Sequence, residues 1–254
     1  MLLDRVQIVL VKTRFPENIG MAARACANMG CPGICLVDPE RWEREKAAPL
    51  ATPKGQNLLD KVLVSPTLAK AVGSSSLVLG TTARTGGWRK ALLAPGQAAR
   101  EVAAALARGE NVSLVFGPED RGLNNEEITH CQRLVTIPTD AAASSLNLAQ
   151  AVLLMLYECA NAVRAAGLGD AEKDDAPATG RAVTAEEQER LMGALKEMLL
   201  RLDYLHGDNP DYFLMPWRRM FSRAALRRHE YDALMGLCRQ VRHKLGAAGD
   251  SGRK

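Results

Sequence analysis

The six cysteines of this 254-residue sequence form no Cys-x-x-Cys pair, and its four histidines lie far apart. No ligand set for zinc is left, because such sites draw thiolates and imidazoles from closely spaced positions. Several of the cysteines (Cys26, Cys31, Cys35, Cys131, Cys159 and Cys238) sit in apolar periodic segments, where a free thiol behaves as a small hydrophobe. No apolar run reaches the length of about 18 residues that a membrane span needs, and the N-terminus has no secretory signal pattern. These absences set the expectation of a cytoplasmic chain with no metal and no membrane contact. The glycine fingerprints of nucleotide enzymes are missing as well. A Rossmann domain would run its first strand into Gly-x-Gly-x-x-Gly, but here "VQIVLV" runs into "KTRFPENIG". The Gly-x-Gly at Gly167 and Gly169 trails a helical pattern, and no Gly-x-x-x-x-Gly-Lys occurs, which disfavours dinucleotide enzymes and P-loop NTPases.

What is present is ordinary globular material, 47% hydrophobic and 24% charged, enough to bury a sizeable core. The net charge of +4 is unevenly spread. Between Leu214 and Lys244 eight basic residues (Arg218, Arg219, Arg223, Arg227, Arg228, Arg239, Arg242, Lys244) face two acids, Glu230 and Asp232. The rest of the chain is therefore net negative. A concentrated basic segment suits a polyanion, although a solvated helix face has the same composition.

Short apolar runs recur through roughly the first 165 residues: "VQIVLV", "GICLVD", "SLVLGTT", "VSLVFG" and "RLVTIP". Helical patterns separate several of them, among them "GQAAREVAAALARG", closed by Gly109, and "NNEEITHC", with Asn124 and Glu127 at capping-box spacing. Strands alternating with helices predict a largely parallel sheet covered on both faces. A long helix is expected from about Ser145 to Ala165. "GLGDAEKDDAPATGRAVT" then has linker composition, and Thr184 with Glu187 opens a further helix. The expected organisation is an α/β domain over 1–165, a flexible linker over 166–183 and a basic helical domain over 184–254.

In an open α/β sheet, ligands sit beyond the carboxyl ends of the strands. Three such ends carry unusual loops: Thr81, Thr82, Ala83 and Arg84; Gly117, Pro118, Glu119, Asp120 and Arg121; and "TDAAASSLNLAQ". Singly, each reads as a polar turn. Together, Gly117 allows close backbone approach, and a helix capped by Ser145 offers unpaired N–H groups to an anion such as a carboxylate. A separate oddity is "FPENIGMAARACANMG", a helix of Gly, Ala, Cys and Met that holds one guanidinium, Arg24. Arg24 lies six residues beyond Asn18, about 9 Å along a helix axis. Small residues let such a helix press closely on another element. Its Arg then either snorkels to solvent or reaches out of that contact.

The segments "NIGMAARACANMG", "LVFGPEDRGLNNEEI" and "SSLNLAQAV" closely resemble, in order, the three signature motifs of the TrmH-like branch of the SPOUT methyltransferases. The C-terminal "NPDYFLMPWRRMFSRA" is similar to the extension carried by a subgroup that methylates tRNA ribose 2′-hydroxyls. The resemblance implies a SPOUT-type parallel sheet whose C-terminal part is tied in a trefoil knot, an exception to the usual unknotted chain. It implies S-adenosylmethionine as cofactor, held by Thr81, Thr82, Ala83, Gly117, Ile137, Ser144, Ser145 and Leu146. It further implies a homodimer with active sites at the subunit interface, and methylation of tRNA, at the cytidine or uridine of nucleotide 32. Relatives with the same motifs modify other tRNA positions or rRNA, and a catalytically silent RNA-binding relative would have lost residues such as Asn18, Arg24, Glu119 or Ser145.

The implied catalytic set is Arg24, Asn18, Glu119, Ser145 and Asn147. Arg24 serves the partner's cofactor. Because a guanidinium stays protonated, its expected work is to bind the adjacent phosphate and stabilise the developing alkoxide. Asn18 positions phosphate or ribose, Glu119 orients an Arg or holds the site, and Ser145 with Asn147 fixes cofactor and nucleotide. RNA contacts are expected from Arg24, Arg84, Arg218, Arg219, Arg223 and Arg227. Trp217 and Phe221, four residues apart, share a helix face and read as core.

Overall fold

The computed structural model describes residues 1–84, 92–143, 145–168, 180–205 and 209–250. The chain divides into two compact units, Met1–Pro177 and Ala178–Lys254, each with its own apolar core. Of the stretch expected as a linker, residues 169–179 lie outside the described residues. No described helix is long and apolar enough to cross a membrane.

The first unit is built on six parallel strands: β1 (Val6–Val11), β2 (Gly33–Val37), β3 (Leu63–Ser65), β4 (Leu77–Thr81), β5 (Val112–Phe116) and β6 (Arg133–Val135). Their order is β3-β2-β1-β5-β4-β6. Central strands of a parallel sheet are covered on both faces, and β5 is buried at every residue. β3 is absent from the sequence expectation for a physical reason. It is a three-residue edge strand whose apolar run, Val62, Leu63 and Val64, is too short to stand out, and with Leu63 64% and Val64 57% exposed it is not part of the buried centre of the sheet.

Register positions the site. Leu10 pairs with Phe116, Gly80 with Val115 and Thr81 with Val135, so the chain leaves β1, β5, β4 and β6 along one edge. The larger helices of this unit are α1 (Pro16–Met29), α5 (Pro95–Ala107) and α7 (Leu148–Ala165). Shorter ones are α2 (Arg44–Ala47), α3 (Pro53–Leu59), α4 (Leu68–Val72) and α6 (Asn125–Thr129). α7 packs against both α1 and α5. α1 starts with Pro16, whose missing N–H costs nothing there, and stops at left-handed Gly30 (φ 71°), whose N–H bonds the Cys26 carbonyl. The small residues of α1 are used within the chain. A Cβ on Gly20 would lie 2.1 Å from the Ala47 carbonyl oxygen, and one on Gly55 of α3 would lie 3.2 Å from the Arg24 nitrogen. Burial pushes the thiols of Cys131 and Cys159 up to about 12, so both stay protonated and act as hydrophobes.

The second unit holds α8 (Ala185–Arg201), α9 (Pro210–Ala224) and α10 (Arg228–Asp250). Its core gathers Leu191, Leu195, Leu199, Leu214, Phe221 and Cys238. Trp217 stacks on Phe221 at 6.3 Å between centroids and packs against this cluster. The Thr184–Glu187 capping box opens α8, and the Glu187 carboxylate also receives the guanidinium groups of Arg181 and Arg228. Hydrogen bonding from Arg181, helped by the Thr184 N–H and by both positive charges, holds Glu187 down to about 2 from its ordinary 4.5, against the opposing effect of burial. A carboxylate whose folded pKa lies below its unfolded value stabilises the fold above the unfolded pKa and loses that contribution as pH falls through the folded one. Glu187→Gln should therefore melt below wild type at pH 5, and the gap should close as pH falls toward about 2. Paired thermal melts of the full chain check this. A gap independent of pH would refute the linkage.

Candidate active site

The loops after β4, β5 and β6 enclose a cavity of about 270 Å³. Thr81, Thr82 and Ala83 line it from the first loop, Gly117 from the second, and Ile137, Ser145 and Leu146 from the third. These are seven of the eight residues expected to hold a cofactor. The eighth, Ser144, lies outside the described residues. The first loop is fixed by the Thr82 N–H bonding the Val135 carbonyl at 2.9 Å and by the Thr81 hydroxyl donating to the Val115 carbonyl at 3.2 Å. Arg84 closes over the second loop, its guanidinium donating to the Arg121 carbonyl.

Gly117 is needed for a different contact from the one the sequence suggests. A Cβ there would lie 2.3 Å from both the Gly122 carbonyl carbon and the Leu123 nitrogen. The close approach is by the loop's own backbone as it turns through Pro118–Gly122, closed by the Gly122 N–H on the Pro118 carbonyl at 2.8 Å.

Ser145 does not cap α7. Asn147 does, its Oδ1 accepting from the N–H groups of Ala149 at 2.9 Å and Gln150 at 3.3 Å. The N-cap is the residue just before the first helical turn, and that turn begins at Leu148. Ser145 is exposed instead and lines the cavity. The cap sets the direction of a polar relay. With Oδ1 committed to the helix, the Asn147 amide points Nδ2 at Asn18 Oδ1 (2.9 Å), which turns Asn18 Nδ2 onto Glu119 Oε1 (2.8 Å). The other Glu119 oxygen takes the Arg14 N–H at 3.2 Å. Asn18 is 5% exposed and joins protein groups at both ends of its amide, so it acts as a bridge that orients Glu119.

Arg14 is the residue that sequence reasoning missed. It follows β1, whose carboxyl end shares the edge used by the three loops, and the strand-end rule applied to a fourth strand reaches it. Its guanidinium spans Glu40 and Asp120, both at 3.1 Å. The preceding Lys12 holds a left-handed backbone (φ 50°), its N–H bonded to the Val37 carbonyl at 2.8 Å. Beside the inner cavity lies a more open hollow of about 500 Å³, which shares Glu119, Ser145, Leu146 and Leu148 with it and adds Phe15, Glu17, Asn18 and Asn147.

Arg24 is brought to neither hollow. It stands exposed on α1 while Ala22, Ala23 and Ala25 around it are buried. In the second unit, Arg218 departs from its expected role as a phosphate contact. Its side chain is 19% exposed, and its guanidinium forms a fork with Glu189 (Nη2 to Oε2 2.9 Å), tying α9 to α8. Arg228 and Arg242 are similarly engaged by Glu187 and Glu197. Arg219, Arg223, Arg239 and Lys244 stand exposed.

A parallel α/β unit whose cavity is built from the loops after three adjacent strands, joined to a helical unit with exposed basic residues, defines a class of ligand-binding α/β protein. The sequence model of the SpoU rRNA Methylase family matches residues 5–157, and the chain belongs to this family. The tRNA (cytidine/uridine/adenosine-2'-O-)-methyltransferase TrmJ of Pseudomonas aeruginosa (strain UCBPP-PA14) is 37% identical over 240 residues, 93% of each chain. The tRNA (cytidine/uridine-2'-O-)-methyltransferase TrmJ of Sodalis glossinidius (strain morsitans) is 33% identical over 245 residues, 95% of this chain and 93% of its own. The crystal structure of TrmJ from Z. mobilis ZM4 superposes with a TM-score of 0.78 at 29% identity, over 93% of this chain and 98% of that one.

Proposed function

We propose that the protein is an S-adenosylmethionine-dependent RNA methyltransferase that methylates a ribose 2′-hydroxyl of tRNA, at the cytidine or uridine of nucleotide 32. The observation that carries the reading is the pair of adjoining hollows, one more enclosed and one more open, that share the wall formed by Glu119, Ser145, Leu146 and Leu148. Transfer between two substrates needs two subsites with one common boundary. The inner cavity fits the cofactor by its lining. Ile137, Leu146, Leu148 and Ala151 offer apolar surface to an adenine, while the Thr82 and Ser145 hydroxyls offer polar ends. When bound there, S-adenosylmethionine supplies a methyl already activated by a sulfonium.

The protein's own task is alignment and charge. Glu119, held by Asn18 and the Arg14 N–H, fixes the shared wall, and Asn147 ties that wall to the start of α7. Arg24 binds the phosphate beside the target ribose and stabilises the alkoxide. Its exposure on α1, outside both hollows of its own chain, supports delivery to the site of a second copy. The apolar face of α7 supports the same homodimer, with Leu153 40%, Leu154 41% and Tyr157 50% exposed. Arg84, Arg219, Arg223 and Arg227 are assigned to the RNA backbone. The trefoil knot belongs to the same reading, formed where the loops after β4, β5 and β6 meet, and so does a cytoplasmic location, where tRNA is found.

The test is methylation of unmodified tRNA transcripts by the purified full chain with labelled cofactor, followed by mapping. A 2′-O-methyl at nucleotide 32 is expected, lost when that ribose is replaced by deoxyribose. Label entering rRNA fragments in place of tRNA would refute the substrate assignment.

A further inference from the structure

Phe15 occupies a position whose local chemistry asks for a different residue. It is the N-cap of α1, with φ −113° and ψ 111°, and makes no side-chain hydrogen bond to the first turn. Thr52, Asn124, Asn147 and Thr184 accept such a bond at the helices they open. The phenyl ring gains no burial in exchange. The residue is 53% exposed, as Phe213 of the second unit is (51%), whereas Phe116 in the core of its own unit is 1% exposed. Neither capping nor core packing accounts for the ring.

Its backbone is nevertheless firmly held. Pro16 after it is buried and restricts Phe15 to extended conformations. Arg14 before it is anchored through its N–H to Glu119 and through its guanidinium to Glu40 and Asp120. An exposed aromatic on a fixed backbone loses little entropy when something stacks on it. Phe15 lines the open hollow with Asn18, Glu119 and Asn147, next to the inner cavity. A ribose that presents its 2′-hydroxyl at the wall shared by the two hollows leaves its base in the open one, where Phe15 is the aromatic lining residue.

We propose that Phe15 is the stacking platform for the base of the target nucleotide, turned out of the RNA stack into the open hollow. The proposal rests on the tRNA-methyltransferase reading above and adds the group that holds the base. Enzymes that act on one nucleotide of a structured RNA take its base out of the stack and offer an aromatic face in return. A phenyl ring has no donor or acceptor and reads no base edge, so it holds any base by its π-face. Tolerance of base identity at this contact follows, so any choice between bases at the target position is made elsewhere.

The test measures methyl transfer to tRNA by full-length wild type, Phe15→Leu and Phe15→Trp, with cofactor affinity by calorimetry and the dimer fraction by light scattering. Leucine keeps apolar bulk and removes the π-face. Its kcat/KM on tRNA should fall about tenfold or more, while tryptophan stays within about threefold of wild type. Cofactor affinity and dimer fraction should not change. On tRNA lacking the base at the mapped target nucleotide, wild type and Phe15→Leu should bind equally, because no base is left to stack. A Phe15→Leu protein with wild-type kcat/KM, or one whose binding defect persists on the base-less tRNA, overturns the inference and makes Phe15 a spectator or a subunit contact. A wild type inactive on every tRNA overturns the functional reading and this inference with it.

Discussion

Arg24→Ala should lower kcat on saturating tRNA about 100-fold or more, the scale set by losing a preorganised group aimed at developing negative charge. The fold has little to lose from the change. The Arg24 side chain is exposed, and the helix beneath it is held by its backbone, with Gly55 against the Arg24 nitrogen and Ala23 fully buried. Thermal stability and cofactor affinity should therefore stay at wild-type values, which assigns the loss to the transition state rather than to folding. Arg24→Lys should recover little, because an ammonium lacks the planar fork that grips a phosphate and an oxyanion together. Near wild-type kcat in the alanine variant would remove Arg24 from the chemistry.

The contrast between Arg24 and Asn18 shows how far the sequence could be read. Both stand in the first motif of one helix, and the family resemblance assigned both to the substrate. The structure separates them by burial: Arg24 is exposed, and Asn18 is 5% exposed and bonded to Glu119 and Asn147. That separation depends on which residues 101 and 129 positions away end up beside Asn18, a long-range fact no local pattern contains. Local rules did well where local chemistry decides. The capping boxes at Asn124 and Thr184 and the stop at Gly109 (φ 70°) stand as read. They failed where two candidates compete within three residues, as when Asn147 rather than Ser145 capped α7. The basic segment was legible as charge but not as surface. Glu187, Glu189 and Glu197 lie outside it in sequence and return to engage Arg228, Arg218 and Arg242. The strand ends were found because the parallel-sheet rule is topological. Arg14 and Phe15 were passed over because β1 runs into a helix with no unusual loop composition to mark them.

The second large effect is expected from one methyl group. Gly117→Ala would set a Cβ 2.3 Å from two backbone atoms of the same turn, Gly122 C and Leu123 N. Backbone cannot move aside as a flexible side chain does, so the Pro118–Gly122 segment must shift outward, carrying Glu119 away from the Asn18 amide and the Arg14 N–H. Overpacking of this kind costs about 1–3 kcal/mol of stability. The larger consequence falls on the cavity, whose wall includes Gly117 through Gly122, and S-adenosylmethionine affinity should drop about 100-fold or more, near 3 kcal/mol. Gly122→Ala is the control. Gly122 is left-handed (φ 62°) with no neighbouring atom within 4 Å of its would-be Cβ, so alanine there brings only backbone strain of about 1 kcal/mol. Calorimetry should find cofactor affinity nearly intact in Gly122→Ala and lost in Gly117→Ala; equal affinities would show that the turn's close approach is not what shapes the cavity. The pair of large-effect variants also tests where Arg24 acts. At a cofactor concentration near the wild-type Kd each is nearly inactive alone, one lacking the arginine and the other an occupied cofactor site. If Arg24 serves the partner's cofactor, refolding equal amounts together should restore about a quarter of wild-type activity, since half of the randomly paired two-fold dimers then carry one working site of two. If Arg24 served its own chain, no pairing would bring an intact arginine to an intact cavity, and the mixture would stay inactive.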